Sequence, residues 1–358
     1  MKKVLLINEG GLGNLGDEAI RRSLEKLLKD ANCDVSWASF SGAKKTKGAP
    51  AIQPKRAAVN SLKKLVKKVL PMELLWLLRT WTTFLKYLRR SEYDLILIGG
   101  GQLIQSNGAF GLGMFIWVYL FKKFHKRKVI LIGVGAAERY TSFDKYLYSK
   151  SLKSVDDIYV RDRDSLSVLK NIFGVSSKLI PDVAFYISKI YKYPPHKEKR
   201  ALFCPVDYEF YKRKRNGPET GVDENGYLRY WQDQILKYLN DNYQVKLFCT
   251  SKRADLPAAE KLKRSLYDKH GIDVEVLDIH TLEELTREIA KSEVVVAARM
   301  HALIISYCYG CKVIPFKTSE KIKSFEEDYV NSGTCLDEVQ SRIVNTVKEA
   351  VRVRLNTL

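Results

Sequence analysis

The sequence contains no zinc-finger spacing, no aromatic RNA-binding signature and no recognisable helix-turn-helix, so nucleic acid is the partner its charge argues for least. It also lacks a second C-x-x-C pair. Cys308 and Cys311 alone among the six scattered cysteines have that spacing, and one pair does not complete a zinc site. The pair follows the apolar run ALIISY and flanks Gly310, a helix end rather than the helix N-terminus that lowers a redox thiol's pKa. It reads as packing, and the thiols in apolar runs read as those of a reducing compartment. No repeat or low-complexity segment is evident. The start, MKKVLLINEGG, has only a short apolar run before a Gly-rich turn, whereas a secretory leader needs about 7–15 apolar residues. A first buried strand of a cytoplasmic protein is the expectation.

What is present is positive charge. The net charge is +20 over 358 residues, which calls for a polyanionic partner such as a phosphorylated ligand or an anionic membrane surface. Hydrophobic residues make up 46% of the chain, enough for proper cores, and the length suits two domains of average size.

Short apolar runs alternate with helical patterns throughout. Strands are expected at 4–7, 35–40, 94–98, 129–134, 157–161 and 178–185, with a helix from Asp17 to Asp30 whose Ile20, Leu24, Leu27 and Leu28 share one face. The stretch ISKIYKYPPHKEK (187–199) has two prolines, many lysines and no apolar period, so it reads as a linker. A second alternation follows, with strands at 201–206, 246–250, 274–279, 294–298 and 312–316. Continuous β-rich runs between helices imply parallel sheets covered on both faces. The expected fold is α/β, with two Rossmann-like domains facing across a cleft (residues 1–190 and 200–358) and ligands beyond the strands' carboxyl ends.

The segment SLKKLVKKVLPMELLWLLRTWTTFLKYLRR (61–90) interrupts this order. Pro71, Glu73, Arg79 and Lys86 break any run of the roughly 20 apolar residues needed to span a bilayer. Two readings stand: basic amphipathic helices lying on an anionic membrane surface, or a helical excursion packed on the first domain with a solvated basic face.

Three glycine-rich segments follow strands: GLGNLG (11–16), IGGGQLIQ (98–105) and IGVGAA (132–137). The first matches G-x-G-x-x-G and opens a helix, where backbone amides meet anions. A dinucleotide would also need an acid at the end of the second strand, and that strand ends in Ser39, Phe40 and Ser41. A nicotinamide or flavin cofactor is therefore not expected. Gly13, Asn14, Asp17, Gly100 and Gly101 are candidate ligand-facing positions, and Asp17 also suits an N-cap.

In VVVAARMHALIISYCYG (294–310), Arg299 and His301 fall between a buried strand and the following helix. A guanidinium grips phosphate or carboxylate through two hydrogen bonds, and a histidine there can exchange protons near neutral pH. Arg161 ends a strand of the first domain, with Asp162 and Ser165 as capping residues of the next helix. Asp182 is a carboxylate in an apolar strand, costly unless it orients a cation. Lys321 follows the last strand.

In this order, GLGNLGDEAI, DLILIGGGQLI, YVRDRDSL, PDVAF, AARMHALIISYCYG and PFKTSEKIKSF span nearly the whole chain and resemble the polysaccharide pyruvyl transferase family. The resemblance implies a fold like that of GT-B glycosyltransferases and phosphoenolpyruvate as donor; no metal or other cofactor is expected, because arginines can neutralise the phosphate. It implies that Arg161, Arg299 and His301 match donor-binding and catalytic positions, and that Lys321 matches a basic one. The insertion at 61–90 and the basic loop at 211–230 are departures bearing on the acceptor, a saccharide linked to a lipid or a nucleotide. The rivals are a nucleotide-sugar glycosyltransferase on the same fold and a non-catalytic binder of anionic polysaccharide or membrane.

Overall fold

The computed structural model describes residues 1–10, 13–41, 72–90, 92–106, 108–214 and 223–356. The chain divides into two compact units, and the division is not the expected 1–190 and 200–358. The first unit comprises Met1–Leu12, Leu24–Val183 and Arg342–Leu358, and the second Gly13–Ser23 and Ala184–Ser341. The C-terminal end of the helix Leu336–Asn356 therefore belongs to the first unit, where Arg354 pairs with Asp157. The later part of the glycine-rich N-terminal segment, from Gly13, belongs to the second.

The first unit is built on six parallel strands in the order β2-β1-β3-β4-β5-β6. They are β1 (Lys2–Asn8), β2 (Cys33–Ser39), β3 (Leu95–Ile104), β4 (Lys128–Ala136), β5 (Asp157–Val160) and β6 (Lys178–Leu179). The chain pairs β1 with β2 on one side, then crosses to β3 on the other, the doubly wound pattern. Val4 to Ile7, Leu95 to Ile98 and Val129 to Ile132 are fully buried, as strands covered on both faces must be.

Two sequence expectations change here. The glycines at 99–101 and 133 do not end their strands. β3 continues through them to Ile104 and β4 to Ala136, with register shifts between Gly101 and Ile104 and between Ile132 and Val134. Gly100 (φ 72°), Gly101 (φ 76°) and Gly133 (φ 64°) take left-handed backbone there, which lets a strand bulge without a turn. The second change is at Asp182. β6 stops at Leu179, and Asp182 precedes a 3-10 helix, Val183–Lys189, rather than lying inside a strand.

The second unit has five parallel strands in the order β11-β10-β7-β8-β9. These are β7 (Glu198–Cys204), β8 (Gln244–Leu247), β9 (Glu275–Val276), β10 (Ser292–Ala297) and β11 (Lys312–Pro315). Read from β9, the order runs third, second, first, fourth, fifth, the Rossmann arrangement. Its topological switch point lies between the carboxyl ends of β7 and β10. Arg299 comes two residues after β10, at that point.

Candidate active site

In the second unit, β10 leads through Ala298, whose N–H donates to Cys204 O (3.0 Å) at the end of β7. Arg299 is the N-cap residue of the helix Met300–Cys308, with extended backbone (φ −110°, ψ 127°). That helix is fixed by its buried Ala302, Leu303, Ile304 and Ile305, so Arg299 and His301 sit at the start of a rigid element.

Arg299 is held on two sides. Its Nε lies 3.1 Å from both carboxylate oxygens of Asp255, and Nη2 bonds Oδ1 as well. The Phe210 ring centroid lies 4.3 Å from Cζ. Asp255 is fully buried. Burial raises its carboxyl pKa from the ordinary value, while the Arg299 hydrogen bonds and charge pull it down. Two thiols share this environment. Burial, reinforced by the Asp255 charge, pushes Cys249 up to about 12 and Cys204 well above its ordinary value. Neither is a thiolate nucleophile at neutral pH.

His301 packs on the glycine-rich segment. A Cβ added at Gly16 would overlap His301 Nδ1 and stand 2.7 Å from its Cγ. Only glycine admits the imidazole at that spot. The segment is tied down further by Leu15 N–H donating to Thr250 O (2.8 Å) and by an antiparallel bridge between Asn14 and Ser251. The helix Leu15–Asp30 begins at Leu15, two residues earlier than expected. Asn14 caps it, its Oδ1 accepting from Gly16 N–H (3.0 Å), while its Nδ2 donates to Asp17 Oδ2 (2.8 Å). Asp17 thus lies in the first turn and braces the cap instead of being it; asparagine serves as well as aspartate there. Gly13 precedes the cap with φ 85°. Gly11 and Leu12 of the motif lie outside the described residues.

Ser251 is in turn the N-cap residue of the helix Lys252–His270, whose first turn carries Asp255. Three helices therefore begin in one neighbourhood: at Leu15 beside His301, at Lys252 beside Asn14, and at Met300 after Arg299. Each helix start carries roughly half a positive charge. Helix starts and a guanidinium are donors of the kind that bind anions, here with the carboxylates of Asp17, Glu18 and Asp255 in the same first turns.

Lys321 lies in the first turn of the helix Glu320–Phe325 of the same unit. Cys308 and Cys311 are buried, and their thiols donate to Phe185 O (3.3 Å) and Ile289 O (3.2 Å).

Arg161, Asp182, Gly100 and Gly101 belong to the first unit. Arg161 follows β5, and its backbone N–H donates to Val134 O (3.2 Å). Its Nη1 donates to Asp182 Oδ2 (2.8 Å), and its Nε would stand 3.0 Å from a Cβ at Gly135. The carboxylate thus orients a cation over a glycine of the β4 bulge region. Asp162 caps the helix Arg163–Val168 by accepting from Ser165 N–H (2.7 Å). The Ser165 hydroxyl is spent elsewhere, accepting from Ala136 N–H (2.7 Å).

Asp255 and Phe210 are the site residues that the sequence reading missed. Asp255 had a signal: it shares a helix face with the buried Ala259, Leu262 and Leu266, and a carboxylate on an apolar face demands a partner. Phe210 had none.

A family model for polysaccharide pyruvyl transferase matches residues 14–320, from the cap of the first helix to the helix that carries Lys321. The chain belongs to the polysaccharide pyruvyl transferase family. The matched region takes in Arg161, Asp182, Asp255, Arg299 and His301. No curated protein matches the chain. Among solved structures, the S. aureus MnaA–UDP co-structure aligns at TM-score 0.52 and 10% identity, covering 100% of this chain and 98% of that one. The UDP-GlcNAc 2-epimerase of Methanocaldococcus jannaschii aligns at 0.51 and 12% identity, covering 99% of both chains. At such identities the likeness is one of fold, and it agrees with the α/β class with two Rossmann-like domains.

Proposed function

We propose that this polysaccharide pyruvyl transferase moves pyruvate from phosphoenolpyruvate to two hydroxyls of a sugar in a polysaccharide precursor, forming a cyclic ketal and releasing phosphate. The observation that carries the reading is the contact of His301 with Gly16. It joins the Arg-x-His segment and the glycine-rich segment at neighbouring helix starts, beside the Arg299 guanidinium.

Phosphoenolpyruvate bears a carboxylate and a phosphate on one small frame. Arg299, fixed by Asp255 and Phe210, supplies a planar pair of donors to one of these groups, and the helix starts supply partial charge to the other. By the family resemblance, Arg161 is assigned to the donor's anionic groups with Arg299, and Lys321 to accessory charge. His301, in protonated form, donates to the methylene carbon and turns it into a methyl group. The neighbouring carbon becomes oxocarbenium-like, and one sugar hydroxyl attacks it. The C–O bond to phosphate then breaks, and the second hydroxyl attacks to close the ring. Of the two hydroxyl protons, one restores His301 and the other leaves with phosphate, so the sum is balanced. No cofactor beyond the co-substrate enters. The acceptor is a lipid-linked or nucleotide-linked saccharide.

The test is incubation with phosphoenolpyruvate and candidate lipid-linked or nucleotide-linked sugars, reading phosphate release together with a pyruvyl mass gain on the sugar. His301→Gln and Arg299→Ala are expected to abolish both. Turnover that persists in both variants, or that consumes a nucleotide-sugar donor instead, overturns the reading.

A further inference from the structure

The helix Met72–Leu88 in the first unit is apolar on two faces. Trp76, Thr80, Phe84 and Tyr87 turn inward, and Phe84 and Tyr87 pack tilted and edge-on against Trp117 of the core. At the complementary helical spacing, Leu74, Leu78, Trp81 and Leu88 are left in solvent, with Leu78 65% and Trp81 54% exposed. A surface helix normally sets charge on its outer face. This one sets leucine and tryptophan there.

The exposed face does not stop at that helix. Leu74 and Leu77 line a largely apolar groove of about 370 Å³ with Leu112 and Phe143, and Glu73 is its one acid. Leu112, Phe115 and Tyr119 then follow one another on one face of the helix Phe110–Tyr119, at i, i+3 and i+7. Tyr119 meets the ring of Phe124, which is 62% exposed. Across the groove, Phe143 and Tyr146 project one turn apart from the helix Ser142–Leu152. Most of the exposed large apolar side chains among the described residues fall in this stretch of 74–146.

Cations are interleaved with these residues. Exposed Lys123 and Lys126 flank Phe124, exposed Lys145 lies between Phe143 and Tyr146, and Lys150 stands over the Tyr146 ring at 5.7 Å. Lys86, Arg89 and Arg90 follow Trp81. Between residues 119 and 128 there is no acid at all. Aromatic and leucine side chains with a lysine border match the headgroup level of a bilayer, and the positive sign selects anionic lipid. No helix among the described residues is long and apolar enough to cross a membrane.

We infer that this composite face of the first unit docks on an anionic lipid bilayer, with Trp81, Phe124 and Phe143 as its apolar anchors. The face reaches well past the 61–90 segment, of which residues 61–71 lie outside the described residues. The inference is independent of the pyruvyl-transfer reading and is tested without turnover.

Flotation of the full chain with phosphatidylcholine vesicles, alone or containing phosphatidylglycerol, reads the partition directly. The wild type is expected to float with the anionic vesicles and not with the neutral ones. The variant Trp81→Ser/Phe124→Ser/Phe143→Ser is expected to lose about tenfold or more in partition, with an unchanged melting temperature as the control for folding. The variant Lys123→Gln/Lys126→Gln/Lys145→Gln is expected to weaken the preference for phosphatidylglycerol. Wild-type protein that ignores anionic vesicles overturns the inference. So does a triple serine variant that floats as well as the wild type. A wild-type dimer in sedimentation that the serine variant dissociates also overturns it, because a second copy then covers the face.

Discussion

Asp255 grips Arg299 through both of its carboxylate oxygens while being itself wholly buried. The pair fixes the plane of the guanidinium, and therefore where its free edge points. Asp255→Asn keeps the shape and removes the charge, so kcat/KM for phosphoenolpyruvate is expected to fall about ten- to a hundredfold through lost orientation. The pH dependence follows from the raised carboxyl pKa. Protonation of Asp255 begins at higher pH than for an ordinary aspartate near 3.9, and it releases Arg299. The wild type should thus show an acid limb in kcat/KM that starts above that value, and Asp255→Asn, which cannot titrate, should lack it. For stability the sign is opposite to that of a typical salt-bridged carboxylate. The native state binds this proton more tightly than the unfolded chain, so the contribution of Asp255 declines as pH rises from the ordinary to the raised value.

Gly16→Ala sets two effects against each other. Alanine in a helix is favoured over glycine by about 1 kcal/mol. The added Cβ, however, would overlap the His301 imidazole, which is backed by the buried first turn of its own helix. The steric term wins at the site even where the helix itself gains. A loss of about a hundredfold in kcat is expected from a displacement of roughly 1 Å, with the melting temperature nearly unchanged. A fully active Gly16→Ala enzyme would show that the imidazole position is not critical.

Both sheets could be read from sequence because strands buried on two faces are written as uninterrupted apolar runs, such as VLLI and VVVAA. The place of Arg299 and His301 was legible for the converse reason: polar side chains between an apolar strand and an apolar helix mark the end of one element and the start of the next. The glycines of β3 were misread because left-handed glycine serves a bulge as readily as a turn, and only strand pairing tells them apart. The swap of residues 13–23 into the second unit was illegible. It rests on contacts of Asn14, Leu15 and Gly16 with Ser251, Thr250 and His301, and no local pattern encodes contacts so distant in sequence.

Phe210 acts on Arg299 through its ring face, so its replacement separates aromaticity from size. Phe210→Leu keeps the apolar bulk and loses the quadrupole, an interaction of about 0.5–2 kcal/mol. The KM for phosphoenolpyruvate should rise roughly two- to thirtyfold by that amount, with kcat changed less. Phe210→Tyr should restore the wild-type value. Equal loss in both variants would mean that the residue only fills space.

Asp182 is the nearer of two carboxylates paired with Arg161, at 2.8 Å from Nη1, while Asp162 lies 3.7 Å from Nε. The Asp182 and Arg161 side chains are largely buried, with 8% and 11% of their surface exposed, and the guanidinium is pressed over Gly135 with little room to swing to solvent. Removing the carboxylate leaves the largely buried guanidinium with the longer Asp162 contact, so Asp182→Ala is expected to lower stability by about 1–3 kcal/mol, measured by urea unfolding. Replacing both partners together, as Arg161→Met/Asp182→Leu, should restore most of that loss, because well-packed apolar residues match a buried ion pair in stability. Activity separates the two roles. The double variant is expected to fold normally yet turn over phosphoenolpyruvate poorly, because it lacks the cation assigned to the donor. A stable and fully active double variant would confine Arg161 to holding the end of β5 in place.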